Sequence, residues 1–338
     1  MNPSPPPLLL LPVRIAGLGS YLPARRVTSV ELEERLGLPP GWIERRTGVR
    51  ERRYNTGETV AFMAAAAIRQ ALADAGLDTG DVDAFIGASS GPQQLIPCTA
   101  VLVQRELGAP EGRSACFDLN ATCISFLVAL QTAAHFVASG VYHTVIVFSA
   151  EIASRSLNPC QKESYVLFGD AAAAAVVTLS RPGEESALHL ARFATHSSGA
   201  DHTRFLGAGS RHHPNDPSTT AAMNLFDMDG PAVFRQAARL IGPFLDNFFD
   251  TLGWQRESLA AVVPHQASSR ALALLTARLG FRQEQVVTNL RDRGNCIAAS
   301  IPLALCEAAR TGRIARGQRL LLVGTGAGLT LGAVALTY

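Results

Sequence analysis

The sequence predicts an α/β fold built from two similar halves. Short apolar runs with strand character alternate with helical runs along nearly all 338 residues, which is typical of a mainly parallel sheet covered by helices on both faces. Each half closes on a small-residue turn and an alternating strand, FGDAAAAAVVTLS in the first and GTGAGLTLGAVALTY in the second. This repeat indicates two copies of one unit, over residues 13–180 and 187–338, after a flexible tail over residues 1–12.

Strands and helices alternate in the same order in both halves. In the first half, strands are predicted at 13–17, 84–88, 115–119 and 144–149, with helices at 59–75, 98–107 and 124–139. In the second, strands are predicted at 188–194, 260–263, 285–288 and 319–323, with helices at 232–249, 268–279 and 298–310. Residues 197–224, rich in Ser, Gly, His and Asp, lack such signals and are predicted to form a surface loop.

Composition excludes several classes of protein. A net charge of +2 gives no electrostatic case for nucleic-acid binding, and the leucine-rich start is too short to span a bilayer. No basic residue precedes Arg14, which argues against a signal peptide. The six cysteines form no CxxC pair, so we expect reduced thiols in the cytoplasm and no metal site.

Three side chains lie where strand-like runs give way to a turn or helix: Cys123 in FDLNATCISF, His265 in VVPHQAS and Asn295 in RDRGNCIAAS. Taken singly, they read as a core cysteine, a structural histidine and a turn asparagine. Cys123 precedes a helical run, and the helix dipole is expected to lower its pKa. Together they suit an enzyme that holds an acyl group as a thioester and stabilises negative charge on a carbonyl oxygen.

In this order, the three residues resemble the β-ketoacyl-ACP synthase III branch of the thiolase superfamily. GLGSYLPARRVTSVELEE and GWIERRTGVRERR are similar to the family's opening segments, PHQA and GN to those that carry its histidine and asparagine, and GRIARGQRLLLVGTGAGLTLGA to its closing segment. The resemblance covers nearly the whole chain. It implies a thiolase-like fold with two pseudo-repeated halves in a five-layered αβαβα architecture, and a homodimer.

The resemblance also implies the chemistry. Cys123 would carry the acyl group, while His265 and Asn295 would donate hydrogen bonds to the enolate formed when a malonyl-type thioester loses its carboxylate. Backbone N–H groups near Cys123 and in the turn with Gly324, Gly326 and Gly328 would form the oxyanion hole. Substrates would be CoA or phosphopantetheine thioesters, with no metal or redox cofactor.

Other positions match the family's substrate entrance. Trp42 would stack on the adenine of CoA beside Arg46, and Lys162 stands where the family usually has an arginine. Since lysine lacks the flat guanidinium, CoA is expected to bind poorly. Exposed charges at the tunnel mouth would receive the acidic acyl carrier protein, as arginine suits phosphate and carboxylate; they are Arg235, Arg270 and Arg278.

Departures from the family pattern indicate a non-standard acyl pocket or pantetheine arm. Ser268 replaces the asparagine that usually follows HQA, Pro231 interrupts the segment from Gly230 to Phe234, and Ile124 and Ser125 replace a small pair after the cysteine. Ile96, before Pro97, occupies a gate position near the dimer interface where olefin-forming relatives carry a glutamate base. Its presence argues against that route.

The sequence thus predicts a ketosynthase that joins a Cys123-bound acyl group to a carrier-bound malonyl or β-ketoacyl thioester. It would act in fatty-acid initiation or, as the unusual pocket favours, in specialised polyketide biosynthesis, including the joining of two chains. One alternative is an acyltransferase that passes the acyl group from CoA or ACP to an alcohol or amine, although retention of Asn295 argues for condensation. Another is an inert partner of a ketosynthase subunit, against which the complete triad argues.

Overall fold

The computed structural model of the chain describes residues 10–207 and 209–338. Residues 1–9 of the predicted tail lie outside this range. Leu11, also assigned to the tail, is buried and exchanges two backbone hydrogen bonds of 2.9 and 3.0 Å with Leu188. The folded chain therefore begins earlier than predicted, because an apolar residue at this position extends the sheet.

The N-terminal half consists of β1 Val13–Tyr21, β2 Arg25–Thr28, α1 Ser29–Leu36, α2 Trp42–Thr47, β3 Glu51–Tyr54, α3 Val60–Ala75, β4 Ala84–Ala88, α4 Thr99–Leu107, β5 Ala115–Leu119, α5 Ser125–Ala138, β6 Thr144–Glu151, α6 Lys162–Tyr165 and β7 Ala171–Leu179. The C-terminal half consists of β8 Ala187–Gly199, β9 Thr203–Arg204, β10 Asp227–Met228, α7 Gly230–Leu252, β11 Ala261–Pro264, α8 Ser269–Ala277, α9 Leu290–Arg293, α10 Ser300–Arg310, β12 Arg319–Gly326 and β13 Gly328–Thr337.

Both halves build a sheet with the same strand order, β1-β7-β6-β4-β5 in the first and β8-β13-β12-β11 in the second. At the position equivalent to β5, the second half has only an isolated bridge between Val262 and Val286, preceded by a 3-10 turn at Gln283–Gln285. The predicted strand at 285–288 is therefore reduced to one bridge. The common order confirms that the two halves repeat one α/β unit.

The prediction of a mainly parallel sheet is wrong, because both sheets are mixed. β4 pairs in parallel with β5 and β6, and β11 with β12, whereas the closing strands β7 and β13 pair antiparallel with both of their neighbours. One residue, Ala327, separates β12 from β13, and so short a connection can only return the chain antiparallel.

Five layers result. Helices α5 and α10 lie between the two sheets in one cluster of buried side chains that includes Phe126, Leu130, Ile301 and Leu305. Helices α3 and α4 cover the outer face of the first sheet, and α7 and α8 that of the second. The αβαβα order agrees with the predicted architecture.

The loop predicted at 197–224 begins later than expected, because β8 runs to Gly199 alongside β13. Much of the stretch beyond it is exposed, with one short strand, β9. Within residues 10–207 and 209–338, no helix is both long and apolar enough to cross a membrane.

Candidate active site

Cys123 lies in a tightly held turn between β5 and α5. The turn Thr122–Ile124 is 3-10 helical, and Thr122 adopts φ +52°, which a β-branched residue rarely does. The side chain of Asn120 accepts from the backbone N–H of Thr122 at 2.8 Å, and the Thr122 hydroxyl accepts from that of Ala327 at 2.7 Å. Contacts from both halves of the chain therefore place Cys123 at the start of a buried helix, as predicted.

Asn295 occupies the equivalent turn of the second half. Its Oδ1 accepts from the backbone N–H of Ile297 at 2.8 Å, as Asn120 does for Thr122, and Ile297 has φ +50°. The turns Thr122–Ile124 and Ile297–Ala299 contact each other where the two halves meet. The pseudo-repeat therefore brings the nucleophile and the asparagine to the same place.

The amide of Asn295 is fixed at its oxygen and largely unused at its nitrogen. Within the described chain, the only hydrogen-bond partner of Nδ2 is the Ala267 carbonyl oxygen, which lies 3.5 Å away, at the limit for a hydrogen bond. The backbone of Asn295 is held by Leu167 and Gly169 at 2.9 and 3.0 Å, and the residue is buried. Asn295 can therefore donate a hydrogen bond to a substrate.

His265 follows β11 directly, and its backbone N–H donates to Val323 at 2.8 Å. Burial lowers the pKa of His265 to about 4, so the ring is neutral from pH 5 upwards. Within the described residues, the buried Nδ1 has no hydrogen-bond partner. Because orphaned buried N–H groups are rare, we assign the ring proton to Nε2. A neutral His265 is then a donor through Nε2.

The pKa of Cys123 moves opposite to the prediction. Burial raises it to about 12, the negative charge of Glu151 adds to the rise, and a backbone N–H lowers it only in part. Although Cys123 keeps some exposed surface, the surrounding protein outweighs the start of the helix. The resting Cys123 side chain is therefore a thiol at neutral pH.

The glycines at the end of β12 fit between the nucleophile turn and His265. A Cβ on Gly324 would lie 2.9 Å from that of His265, and one on Gly326 would lie 2.7 Å from the Ala121 carbonyl oxygen and also overlap the Thr122 hydroxyl. Gly328 has φ +136°, which side chains rarely adopt. Gly324 and Gly326 therefore lie beside the site, as predicted.

We expect Gly326→Ala to slow acylation of Cys123 by about a hundredfold, because displacing a reacting group by about 1 Å can cost this much. The added methyl group must push the Thr122 turn away from β12. Intact-mass spectrometry over time would measure the rate. Gly242→Ala, within α7, is the control, since the nearest atom to its Cβ would be 3.9 Å away. Acylation at the wild-type rate in Gly326→Ala would show that this glycine does not position the nucleophile.

At the predicted CoA entrance, helices α2 and α6 meet. Trp42, half-buried, begins α2, and the Arg46 guanidinium binds the carboxylate of Glu163 with an Nε–Oε1 distance of 2.8 Å. Lys162 is exposed at the start of α6. The structure therefore brings the three predicted entrance residues to neighbouring helices, but Arg46 already has an acidic partner. Glu163 was not among the predicted residues, although its charge lies next to Lys162 in the sequence.

Two departures from the family pattern have structural reasons at helix starts. Pro231 lies in the first turn of α7, where proline is favoured, and Asp229 caps this helix by accepting from Ala232 at 2.9 Å. Gly230 begins the same helix, and Phe234 is half-buried on it. The Ser268 hydroxyl caps α8 by accepting from Ala271 at 3.2 Å. Ser268 therefore has a structural role besides its predicted place near the substrate.

The three arginines predicted to dock the carrier protein are exposed on or next to α7 and α8. Within the described part of the chain, none of them forms an ion pair, so their charges are available to a partner. They are Arg235, Arg270 and Arg278.

A buried acid near the nucleophile was missed. Glu151, the last residue of β6, is 4% exposed, and its carboxylate accepts from the backbone N–H and the hydroxyl of Ser90 at 2.7 and 3.0 Å. Burial raises the pKa of Glu151 to about 7. The signal was a single acidic residue at the end of the apolar run TVIVFSAE.

Among the described residues, no group of three or more His, Cys, Asp and Glu side chains could hold a metal ion.

Solved structures share this fold. The chain superposes on 3-oxoacyl-[acyl-carrier-protein] synthase III from Aquifex aeolicus with a TM-score of 0.87 and 35% identity, over 96% of this chain and 100% of that one. It superposes on the priming β-ketosynthase from the R1128 polyketide pathway with a TM-score of 0.88 and 32% identity, over 99% and 98% of the two chains. These similarities define the class as a thiolase-fold condensing enzyme, an acyltransferase.

Sequence comparison gives the family. Residues 117–199 match the profile of 3-oxoacyl-[acyl-carrier-protein (ACP)] synthase III, and residues 249–338 match the profile of its C-terminal part. The chain is 37% identical over 327 residues to β-ketoacyl-[acyl-carrier-protein] synthase III of Neisseria gonorrhoeae, covering 96% of this chain and 99% of that one. The chain belongs to the β-ketoacyl-ACP synthase III family.

Proposed function

We propose that this enzyme transfers an acyl group to Cys123 and condenses it with an ACP-bound malonyl or β-ketoacyl thioester. The observation that carries the proposal is the pair of unused donors beside the Cys123 turn, Nε2 of neutral His265 and Nδ2 of Asn295. If both donors reach the oxygen of one enolate, they stabilise its negative charge. Transfer to an alcohol or amine generates no enolate.

The proposed acylation begins with attack by Cys123 Sγ on the carbonyl carbon of the donor thioester. The bond from that carbon to the donor sulfur breaks, and the donor leaves as a thiol that takes up the proton of Cys123. Backbone N–H groups near Cys123 and in the Gly324–Gly328 turn would stabilise the tetrahedral oxyanion. The acyl group is then held as a thioester, which divides one difficult reaction into two easier ones.

With a malonyl thioester, condensation follows when that thioester loses CO2 and the electron pair of the broken bond forms an enolate. His265 and Asn295 donate hydrogen bonds to the enolate oxygen while its α-carbon attacks the acyl carbonyl. The bond to Cys123 Sγ breaks, and the thiolate takes up a proton from water. With a His265 pKa of about 4, the ring is neutral across neutral pH and becomes a cation only as the pH falls towards 4, so the donor at neutral pH is an uncharged Nε2–H group. The reaction needs no metal or redox cofactor.

We assign the enzyme to specialised polyketide biosynthesis in preference to fatty-acid initiation. The departures from the family pattern at Pro231 and Ser268 support this assignment, and a priming β-ketosynthase of a polyketide pathway is among the solved structures that share the fold. The test is intact-mass spectrometry after incubation with acyl-CoA and acyl-ACP donors of varied length, followed by product analysis with malonyl-ACP or β-ketoacyl-ACP. Acyl esters or amides formed without a carbon–carbon bond would instead establish the acyltransferase alternative.

An acyl carrier protein is the proposed partner at the exposed arginines of α7 and α8. We expect Arg270→Glu to reduce acylation from acyl-ACP by about tenfold but to leave acylation from a short N-acetylcysteamine thioester unchanged, because one reversed contact costs about 1.4 kcal/mol or more. The loss should shrink as salt screens the charges. Kinetics at two ionic strengths would measure both effects.

The control for Arg270 is Arg105→Glu, an equally exposed arginine on α4 at the opposite outer layer. It changes the net charge by the same amount without touching the proposed docking surface. Equal losses with both donors in Arg270→Glu would mean that this residue supports the fold.

A homodimer is also part of the proposal. Strand β5 is the edge of the first sheet, so one row of its backbone groups is open to another strand. On the loop after β4, Leu95 and Ile96 are 71% and 85% exposed, an unusual exposure for adjacent large apolar residues. A second copy of the chain would cover both the edge of β5 and these two apolar side chains.

The free cysteines support a cytoplasmic location.

A further inference from the structure

Glu151 lies behind the nucleophile turn without a cationic partner in the described part of the chain. Its carboxylate is bound instead by the hydroxyl and the backbone N–H of Ser90, and the backbone N–H groups of Gly91 and Ala298 lie near it. Only donors therefore surround it, an arrangement that favours the ionised form, while burial opposes ionisation. A buried carboxylate that is not paired is costly, so a structural role alone is a poor explanation.

These contacts join three parts of the site. Ser90 and Gly91 begin the loop after β4 that leads to the exposed Leu95 and Ile96. Ala298 belongs to the 3-10 turn after Asn295, at the position that Cys123 occupies in the first half. Glu151 therefore ties the loop after β4 to the turn of the second half that faces the nucleophile.

We propose that Glu151 is a positioning residue for Cys123, which holds the loop after β4 against the turn after Asn295 and maintains a negative charge beside the nucleophile. The charge adds to burial in keeping the resting cysteine protonated and therefore slow to react until an acyl donor is in place, and the thiol proton is then available to the leaving sulfur. This role rests on the proposed function only in taking Cys123 as the nucleophile.

The proposal makes a pH-dependent claim, because burial places the pKa of Glu151 at about 7. Below that pH the carboxyl is neutral and leaves Cys123 unaffected, whereas above it the carboxylate opposes the thiolate. Other titratable groups lie on the described elements around Glu151. They are Cys296 with the Arg293–Glu307 ion pair that acts on it, Asp170 next to the cross-strand partner of Glu151, and neutral His265.

The experiment measures the alkylation rate of Cys123 by iodoacetamide between pH 6 and 9, with peptide mapping to separate it from the exposed Cys160. It needs no acyl substrate, so it is independent of which reaction the enzyme catalyses. We expect Glu151→Gln to match the wild type at pH 6 and to react about tenfold faster above pH 8, since a thiol pKa lower by one unit gives tenfold more thiolate.

Two further variants separate charge from position. Glu151→Asp keeps the charge but is too short to reach both Ser90 and Ala298, so its alkylation profile should follow the wild type while the kcat of condensation falls. Glu307→Gln, which acts on Cys296 through its ion pair with Arg293, should leave Cys123 alkylation unchanged. Equal alkylation rates of Glu151→Gln and the wild type at every pH would overturn the proposal. An increase over the wild-type rate by the same factor at pH 6 and at pH 9 would also overturn it.

Discussion

Cys123→Ala should abolish covalent acylation by every acyl-CoA and acyl-ACP donor. The side chain removed is small, and the turn that holds it depends on Asn120, Thr122 and Ala327, so the fold should persist with an unchanged melting temperature. Cys123 differs from the other cysteines by its place in the turn Thr122–Ile124, which Ala327 of the second half holds and which contacts the turn Ile297–Ala299 after Asn295. Intact-mass spectrometry would show unmodified protein at all times.

Cys160→Ala is the matched control, because Cys160 is exposed and the easiest thiol for a reagent to reach. This variant should acylate at the wild-type rate. Persistent labelling of Cys123→Ala at Cys160 or Cys296 would instead refute the assignment of the nucleophile.

His265→Ala and Asn295→Ala should still acquire an acyl group on Cys123 but should condense it about 10² to 10³-fold more slowly, because removing one oxyanion donor typically costs this much. Both side chains are assigned to the second half-reaction, and neither is the partner that takes the proton of Cys123. Single-turnover acylation, measured separately from product formation with malonyl-ACP, would distinguish the two steps.

Asn295→Asp sharpens this test. An aspartate keeps the oxygen that accepts from Ile297 and so preserves the turn, but it lacks the Nδ2 donor. Its condensation rate should therefore fall as far as that of Asn295→Ala while its melting temperature stays closer to that of the wild type. Product formation at the wild-type rate in either Asn295 variant would rule out enolate stabilisation and make simple acyl transfer the leading function.

Much of this arrangement could be predicted from local sequence signals. Strands such as Ala84–Ala88 and Ala115–Leu119 match the prediction residue for residue, and α3 ends at Gly76, whose φ of +70° suits a helix C-cap. The meeting of the two halves at Cys123 and Asn295 could also be anticipated, because both follow the same element order. Hydrophobic periodicity and turn residues act locally, so the helices and strands that they predict are found in the folded chain.

Properties that depend on packing could not be predicted. The direction of strand pairing is decided by where β7 and β13 insert, which no local pattern specifies. The pKa of Cys123 was expected to fall at a helix start, but surrounding protein and the charge of Glu151 raise it. Glu151 and Glu163 were overlooked for the same reason, since their partners Ser90 and Arg46 are distant in sequence.

The middle layer of helices has a consequence for how this protein unfolds. Helices α5 and α10 come from different halves but share one buried cluster with strands of both sheets. Neither half could close a core without the other, because separation would expose a layer of aliphatic side chains to water. The chain should therefore lose its structure in one cooperative transition, and the repeat visible in its strand order is a pattern of topology without two independent folding units.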